Sequence, residues 1–338
     1  MFFKNKKFYL VADVGGTKTA LAIMDENNSI VYKKIYPSKD IKQFSDTLLE
    51  FMSLPECQQY KKWMIDACIG IAGPLNPEKT YARLTNLSWT VDRDNILVRT
   101  HLHNVILLND FEATGYAIDG LKQEDYVELT NLGRNNSGTV ALIGAGTGLG
   151  TCILANINNK HVPVASEGGH TDLPININDK AELQLQQFLI KKKLYKDAED
   201  LVSGRGIVNI YKFLLTQKAK HNPKIKLEIS KVSDEEKPMY ITKYALEDKD
   251  VACILTIKLF IKYYARLVKN FALTTKCYEV MIAGGIAPKI ISALQDEFVD
   301  EFVKHDVENM RKLLEIMPII VITNPDIGLY GALNKLKS

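Results

Sequence analysis

No stretch of this chain approaches the ~20 consecutive apolar residues that a membrane-crossing helix needs, so no helical membrane span is expected. The opening Met1-Phe2-Phe3-Lys4 has no apolar run of signal-peptide length, and the closing Leu336-Lys337-Ser338 is not the peroxisomal Ser-Lys-Leu. The cytoplasm is the expected location. Cysteine is sparse: Cys57, Cys68, Cys152, Cys253 and Cys277 lie far apart, with no CxxC pair and no histidine at ligand spacing. That excludes a structural zinc of the common kinds and fits a reducing compartment. An excess of one charge is also missing, since 43 Lys and Arg face 40 Asp and Glu for a net +3. Without a basic tract or tail, nucleic acid is not an expected partner. The densest basic cluster, Lys191 to Lys193, follows Phe188, Leu189 and Ile190 and reads as the solvated last turn of a helix.

What is present is an ordinary globular composition, 46% apolar and 25% charged over 338 residues. That length suffices for two lobes, each with its own core. Residues 8–14 (FYLVADV) read as a buried strand, 19–25 as its hairpin partner, and Asn27-Asn28 as the turn into a third strand over 29–35. Residues 140–162 repeat the plan: VALIG, a glycine turn AGTGLG, a second strand TCILANI, and the turn Asn158-Asn159. One constant offset superposes Asp13 on Gly144, Gly15 on Gly146, and Asn27-Asn28 on Asn158-Asn159, which points to a duplicated unit. Between and after the hairpins, helices are expected near 41–53, 181–193, 204–216 and 251–274, after Pro288, and from about 326. Strands are expected over 64–72, 105–108 and 278–283. The alternation indicates α/β architecture. Residues 218–238, highly charged with two prolines, read as a surface loop.

A strand that ends in a glycine turn leaves several backbone N–H groups pointing one way, with no side chain to keep phosphate oxygens off. Both hairpin tips, Gly15-Gly16 and Gly144 to Gly150, qualify, although such tips are also common as plain turns. The two familiar nucleotide motifs fail: Leu149 stands where GxGxxG needs its third glycine, and Lys18 does not follow a glycine as a P-loop requires. Asp13, at the end of the first strand, is placed to hold the water shell of a Mg²⁺ on phosphates, or else satisfies its own turn. Asn109-Asp110 closes an apolar strand, where α/β sheets face their ligands, so Asp110 is a candidate base; the alternative is a cap for a helix beginning near Glu112. Glu167-Gly168-Gly169-His170 sets a carboxylate and an imidazole three positions apart across two glycines. With Glu199, which alone would pass for a surface residue, it offers the donors and acceptors a polyhydroxylated ring needs.

Read together, these segments resemble the bacterial-type glucokinase family of the hexokinase, Hsp70 and actin superfamily. The likeness rests on the order and spacing of Asp13-Val-Gly-Gly-Thr17, Gly70-Ile-Ala-Gly-Pro74, Thr85-Asn86 before Trp89, and Asn109-Asp110-Phe111. It continues through Gly144 to Gly150, Glu167-Gly-Gly-His170, Ala198-Glu199 before Ser203-Gly204, and Ala283-Gly-Gly-Ile286. It implies a two-lobed actin-like (ribonuclease H-like) α/β fold with duplicated hairpin phosphate loops and an interlobe cleft. The small lobe would take 1–111 plus 323–338 and the large lobe 112–322. It implies a glucokinase that uses ATP and Mg²⁺ to make glucose 6-phosphate for glycolysis, assembled as a homodimer. Asp110 would be the base, and Asn86, Asn109, Asp110, Glu167, His170 and Glu199 would meet the sugar. ATP would contact Asp13, Gly15, Gly16, Thr17, Lys18, Gly144, Gly146, Thr147, Gly148, Gly284 and Gly285, with Asp13 reaching the metal through water.

Two departures sharpen this expectation. The cysteine-rich zinc motif of the repressor-and-open-reading-frame kinases is absent, and no helix-turn-helix segment stands ahead of Asp13, which argues against a zinc-dependent kinase and a sugar-sensing repressor. Lys18 occupies a position where bacterial members are expected to carry Asn, and it either touches a phosphate or is solvated. Kinases of glucosamine, mannose or an N-acetylhexosamine remain as alternatives within the class. An actin-like ATPase that takes no sugar is the alternative outside it, and Glu167 with His170 is the feature such an ATPase does not need.

Overall fold

The computed structural model describes residues 7–84, 87–173, 175–176 and 178–338. The chain divides into two compact units: the first runs to Lys122 and adds 160–165 and 324–338, and the second comprises 123–159 and 166–323.

The first unit is built on β1 (Phe8–Val14), β2 (Lys18–Asp25), β3 (Ile30–Pro37), β4 (Met64–Ile71) and β7 (Asn104–Asn109), in the order β3-β2-β1-β4-β7, with β5 (Tyr81–Arg83) and β6 (Thr90–Asp92) as a separate ribbon. β1 pairs antiparallel with β2 and parallel with β4, and β4 pairs parallel with β7. The two-residue period of the strand sorts the apolar side chains of β1 onto two faces. Leu10, Ala12 and Val14 pack with Phe44, Leu48 and Phe51 of the helix Phe44–Met52, whereas Tyr9 and Val11 pack with Leu329, Ala332 and Leu333 of the terminal helix Ile327–Lys337.

In the second unit β8 (Tyr126–Glu128), β9 (Val140–Ala145), β10 (Leu149–Ile157), β12 (Glu279–Ala283) and β13 (Ile319–Ile322) follow the order β10-β9-β12-β13-β8, while β11 (Lys160–Ser166) falls almost wholly in the first unit. β9 is antiparallel to β10 and parallel to β12, which repeats the local plan of β1 with β2 and β4. The constant offset in the sequence therefore corresponds to a shared topology. The long helix Val251–Thr275 buries Phe260, Tyr263 and Tyr264 in the same core as Phe298 and Phe302.

Two differences from the sequence reading have clear causes. Residues 218–238 are not a loop: they contain the helix Pro223–Lys231 and the start of the helix Lys237–Leu246. Pro223 takes the first helical position, where its missing N–H costs nothing, Asn222 caps by accepting from the Lys224 N–H at 3.0 Å, and Ile225 and Ile229 are buried one turn apart. The charge of the segment lies on its outer face. The first unit also extends to Lys122, past the boundary at 111 read from sequence. The helix Asp110–Gly115 packs on the terminal helix so closely that a Cβ on Gly331 would lie 1.7 Å from the Ala113 carbonyl oxygen, and Asn334 Nδ2 donates to the Tyr116 carbonyl at 3.0 Å. Residues 160–165 join it through His161, whose N–H donates to Asp119 Oδ2 at 3.0 Å.

Truncating Ile229 to Ala removes a side chain that is 2% exposed and should cost about 2–4 kcal/mol in urea unfolding, whereas Leu227→Ala, at 55% exposure, should cost less than about 0.5 kcal/mol. Equal, negligible effects would restore the surface-loop reading of this segment.

Candidate active site

In the first unit the β1–β2 tip is closed by the Gly15 N–H donating to the Lys18 carbonyl at 3.0 Å. Its outward carbonyls are then tied down by a single buried residue, Ser38. The Ser38 hydroxyl donates to the Gly15 carbonyl at 2.7 Å, and its N–H donates to the Thr17 carbonyl at 3.0 Å. Thr19 Oγ1 lies 3.0 Å from the Ser38 hydroxyl, and the Trp89 indole N–H holds the Ser38 carbonyl at 2.9 Å. Oxygens that would repel an anion are thereby occupied by donors. Gly16 is half-buried, and Thr17 and Lys18 are exposed.

Asp13, half-buried at the end of β1, sits opposite Gly70 on β4 and against Gly328, where a Cβ would come within 3.3 Å of its carboxylate. Burial pushes its carboxyl up to about 6, against the pull of Lys18 and with Asp326 adding to the rise. Asp326 is itself held by Lys33 at 2.6 Å.

β7 ends beside these groups. The side chain of Asn109 accepts from the Phe111 and Glu112 N–H groups at 2.9 and 3.3 Å, so Asn109 caps the helix and Asp110 opens it. The cap that sequence reading offered as the alternative for Asp110 therefore belongs to its neighbour. Asp110 Oδ1 accepts from the Phe111 N–H at 3.0 Å, and the Asp110 Cα lies 3.7 Å from where a Gly70 Cβ would stand. Glu112, two residues further on, is buried and paired with Lys79 at 2.8 Å. Asn86 lies outside the described residues.

In the second unit the β9–β10 tip follows the same logic with different donors. The Gly146 N–H donates to the Gly148 carbonyl at 2.8 Å, and the Gly204 N–H, opening the helix Gly204–Thr216, donates to the Gly146 carbonyl at 2.8 Å. Thr147 is exposed at the apex, and Gly144 is buried within β9 opposite Ala283 of β12. Gly284 has φ +83, and a Cβ there would lie 2.5 Å from the Ala145 carbonyl, so only glycine lets the chain leave β12 against β9. Gly285 faces open space.

Glu199 lies across this tip. Its Oε2 accepts from the Leu149 N–H at 3.0 Å, with Gly148 so close that a Cβ would meet the same oxygen at 2.7 Å, and its Oε1 accepts from Arg205 at 2.9 Å. Glu167 and His170 are exposed on a short turn whose Gly169 nests against the Leu149 carbonyl. His170 Nδ1 is 2.8 Å from Asp197 Oδ2; that bond raises the imidazole above its ordinary value, burial opposes the rise, and Glu199 and Glu167 add to it. Ser38, Asp197 and Arg205 carried no motif in the sequence, and only proximity to Glu199 in the chain marks the last two. No cluster of three or more His, Cys, Asp or Glu side chains able to cage a metal occurs among the described residues.

Comparison with known proteins bears on the chain as a whole. A family model described as glucokinase matches residues 10–338. A glucokinase of Nostoc punctiforme is 36% identical over 342 residues, spanning 96% of this chain and 97% of that one. Among solved structures, glucokinase from an Antarctic psychrotroph superposes with a TM-score of 0.76 at 25% identity, over 98% of this chain and 99% of the other. Glucokinase from Balamuthia mandrillaris, solved in complex with glucose, gives 0.79 at 20% identity, over 99% and 95%.

Two titrations test the electrostatics. The Asp13 carboxyl keeps its proton to higher pH in the folded chain than in the unfolded one, so stability falls as pH rises from 3.8 through about 6 and the penalty is complete above that. Asp13→Asn should therefore raise unfolding free energy at pH 7, on the order of 1–2 kcal/mol after allowing for partial exposure, and leave it unchanged near pH 4. By NMR, His170 should titrate above 6.5 and move down in Asp197→Asn; an unmoved midpoint would show that the Asp197 bond is not made in solution.

Proposed function

Because this chain belongs to the glucokinase family, and is thus an ATP-dependent hexose kinase that makes glucose 6-phosphate from D-glucose, we propose that Asp110 is the base that accepts the proton of the attacking 6-hydroxyl. One observation carries this reading: three neighbouring strands of one sheet, β1, β4 and β7, bring Asp13, Gly70 and Asn109-Asp110 together at their carboxyl ends, and Glu112 nearby is paired with Lys79. The carboxyl ends of parallel strands are where α/β sheets meet their ligands.

Phosphoryl transfer depends mainly on positioning and on charge stabilisation. The reading assigns the phosphates of ATP to the two glycine tips, Gly15-Gly16-Thr17 with Lys18 and Gly144 to Gly148, because in both the tip carbonyls already accept from donors of the chain. It assigns the adenosine side to Gly284 and Gly285. The sugar hydroxyls go to Asn109, Glu167, His170 and Glu199, with Asn86 completing the set on resemblance alone. Asn109 can donate through Nδ2 while Oδ1 remains in the helix cap, and Asp110 is held in one rotamer by the Phe111 N–H. The reading gives Asp13 the water shell of a Mg²⁺ carried by the phosphates. When bound, that ion neutralises charge on the transferred group. The reading is completed by a cytoplasmic homodimer that feeds glycolysis, with the first and second compact units as the small and large lobes.

The test is ADP formation with Mg·ATP across glucose, mannose, glucosamine, N-acetylglucosamine and fructose, beside Asp110→Asn. Glucose should give the highest turnover, and the substitution should lower kcat by about 10²–10⁴ with glucose binding retained. ADP released equally without any sugar would favour an actin-like ATPase instead, and a different best hexose would reassign the substrate while keeping Asp110.

A further inference from the structure

The segment from Asp197 to Arg205 grips the β9–β10 tip from both sides: Glu199 accepts from the Leu149 N–H, and the Gly204 N–H holds the Gly146 carbonyl. The same segment orients the neighbouring turn, since Asp197 accepts from the Glu199 N–H through Oδ1 at 3.1 Å and meets His170 through Oδ2. Arg205 closes the arrangement. Its Nε donates to the buried Asp200 at 2.7 Å, and its Nη2 donates to Glu199 Oε1 at 2.9 Å.

The guanidinium thus occupies the one oxygen of Glu199 that the phosphate tip does not use. We infer that Arg205 stands in for the sugar: it holds Glu199, and through Glu199 the phosphate tip, while the sugar site is empty, and yields Oε1 to a sugar hydroxyl when the sugar arrives. This rests on the assignment of Glu199 to the sugar and of the 146–148 tip to the nucleotide. Arg205 is suited to such an exchange. Its side chain is 48% exposed, so Nη2 can be released into water, and Nε keeps the side chain anchored on Asp200 meanwhile. A hydroxyl donating to Oε1 replaces one donor with another, so the carboxylate stays oriented, with Oε2 on the Leu149 N–H. Arg205 touches neither sugar nor nucleotide in this scheme and is a positioning residue. Its expected signature is an effect on nucleotide binding that the sugar cancels.

Titration of the full chain with AMPPNP and Mg²⁺, without and with saturating glucose, reads this directly. Without sugar, Arg205→Ala should weaken AMPPNP binding about five- to tenfold, because Glu199 is then held through one oxygen only. With glucose present its affinity should return to within about twofold of wild type. Arg205→Lys, which can keep Asp200 but cannot reach both carboxylates at once, should fall between, and provides the reading should the alanine variant fold poorly. Unchanged affinity in either variant, or an equal loss with and without glucose, overturns the inference, the latter reducing Arg205 to a simple brace. Failure of the wild type to bind glucose or to form ADP in response to it would instead overturn the sugar-site assignment on which the inference stands.

Discussion

A backbone loop can hold an anion only if its N–H groups face outward while its carbonyl oxygens find donors elsewhere, and much of the structure around both glycine tips serves that requirement. In the first unit one serine supplies both donors, from its hydroxyl and its backbone. In the second, the tip closes partly on itself and partly on the first N–H of a helix, which lies at the positive end of that helix. The duplicated hairpins are thus alike in strand pairing and in electrostatic outcome but reach it with unrelated residues. The pattern of pairing is shared between the halves, and the means of orienting the tips is local to each.

The second constraint is the placement of acids. Five of the carboxylates near the strand ends or on the adjoining turns show how differently the structure treats them. Glu112 is buried and paired with Lys79, and Asp326 is pinned by Lys33. Asp13 is raised to about 6 by burial, against the pull of Lys18. Asp110 lies at a helix start, and Asp197 is committed to an imidazole and a backbone N–H. Residues of one chemical type are thereby separated into structural ties and groups left for chemistry.

Much of this was legible from the sequence, where chemistry and local geometry coincide. The strands of both hairpins, the break after Asn109, and the double glycine of Glu167-Gly-Gly-His170 announce themselves because period-two apolar runs and glycine turns are local signals. Ser38 was not legible, since nothing in Pro37-Ser38-Lys39 says that its hydroxyl will find the carbonyl of Gly15. Arg205 and Asp197 were hidden for the same reason: their roles depend on which carboxylate or imidazole the fold brings near. The helix Pro223–Lys231 was misread because charge density and two prolines outweighed the buried pair Ile225 and Ile229, although a proline at a first helical position is a helix signal.

The order in which the chain is made also matters. The face of the first sheet that carries Tyr9, Val11, Ala22, Met24, Cys68 and Leu108 is covered by Leu329, Ala332 and Leu333, which follow the whole second unit in the chain. During synthesis this apolar face must wait for the whole second unit to be translated before its own cover exists, whereas the second unit is complete at Thr323. Nascent chains therefore carry one unfinished, adhesive surface throughout synthesis of the second unit, the state that chaperones attend to.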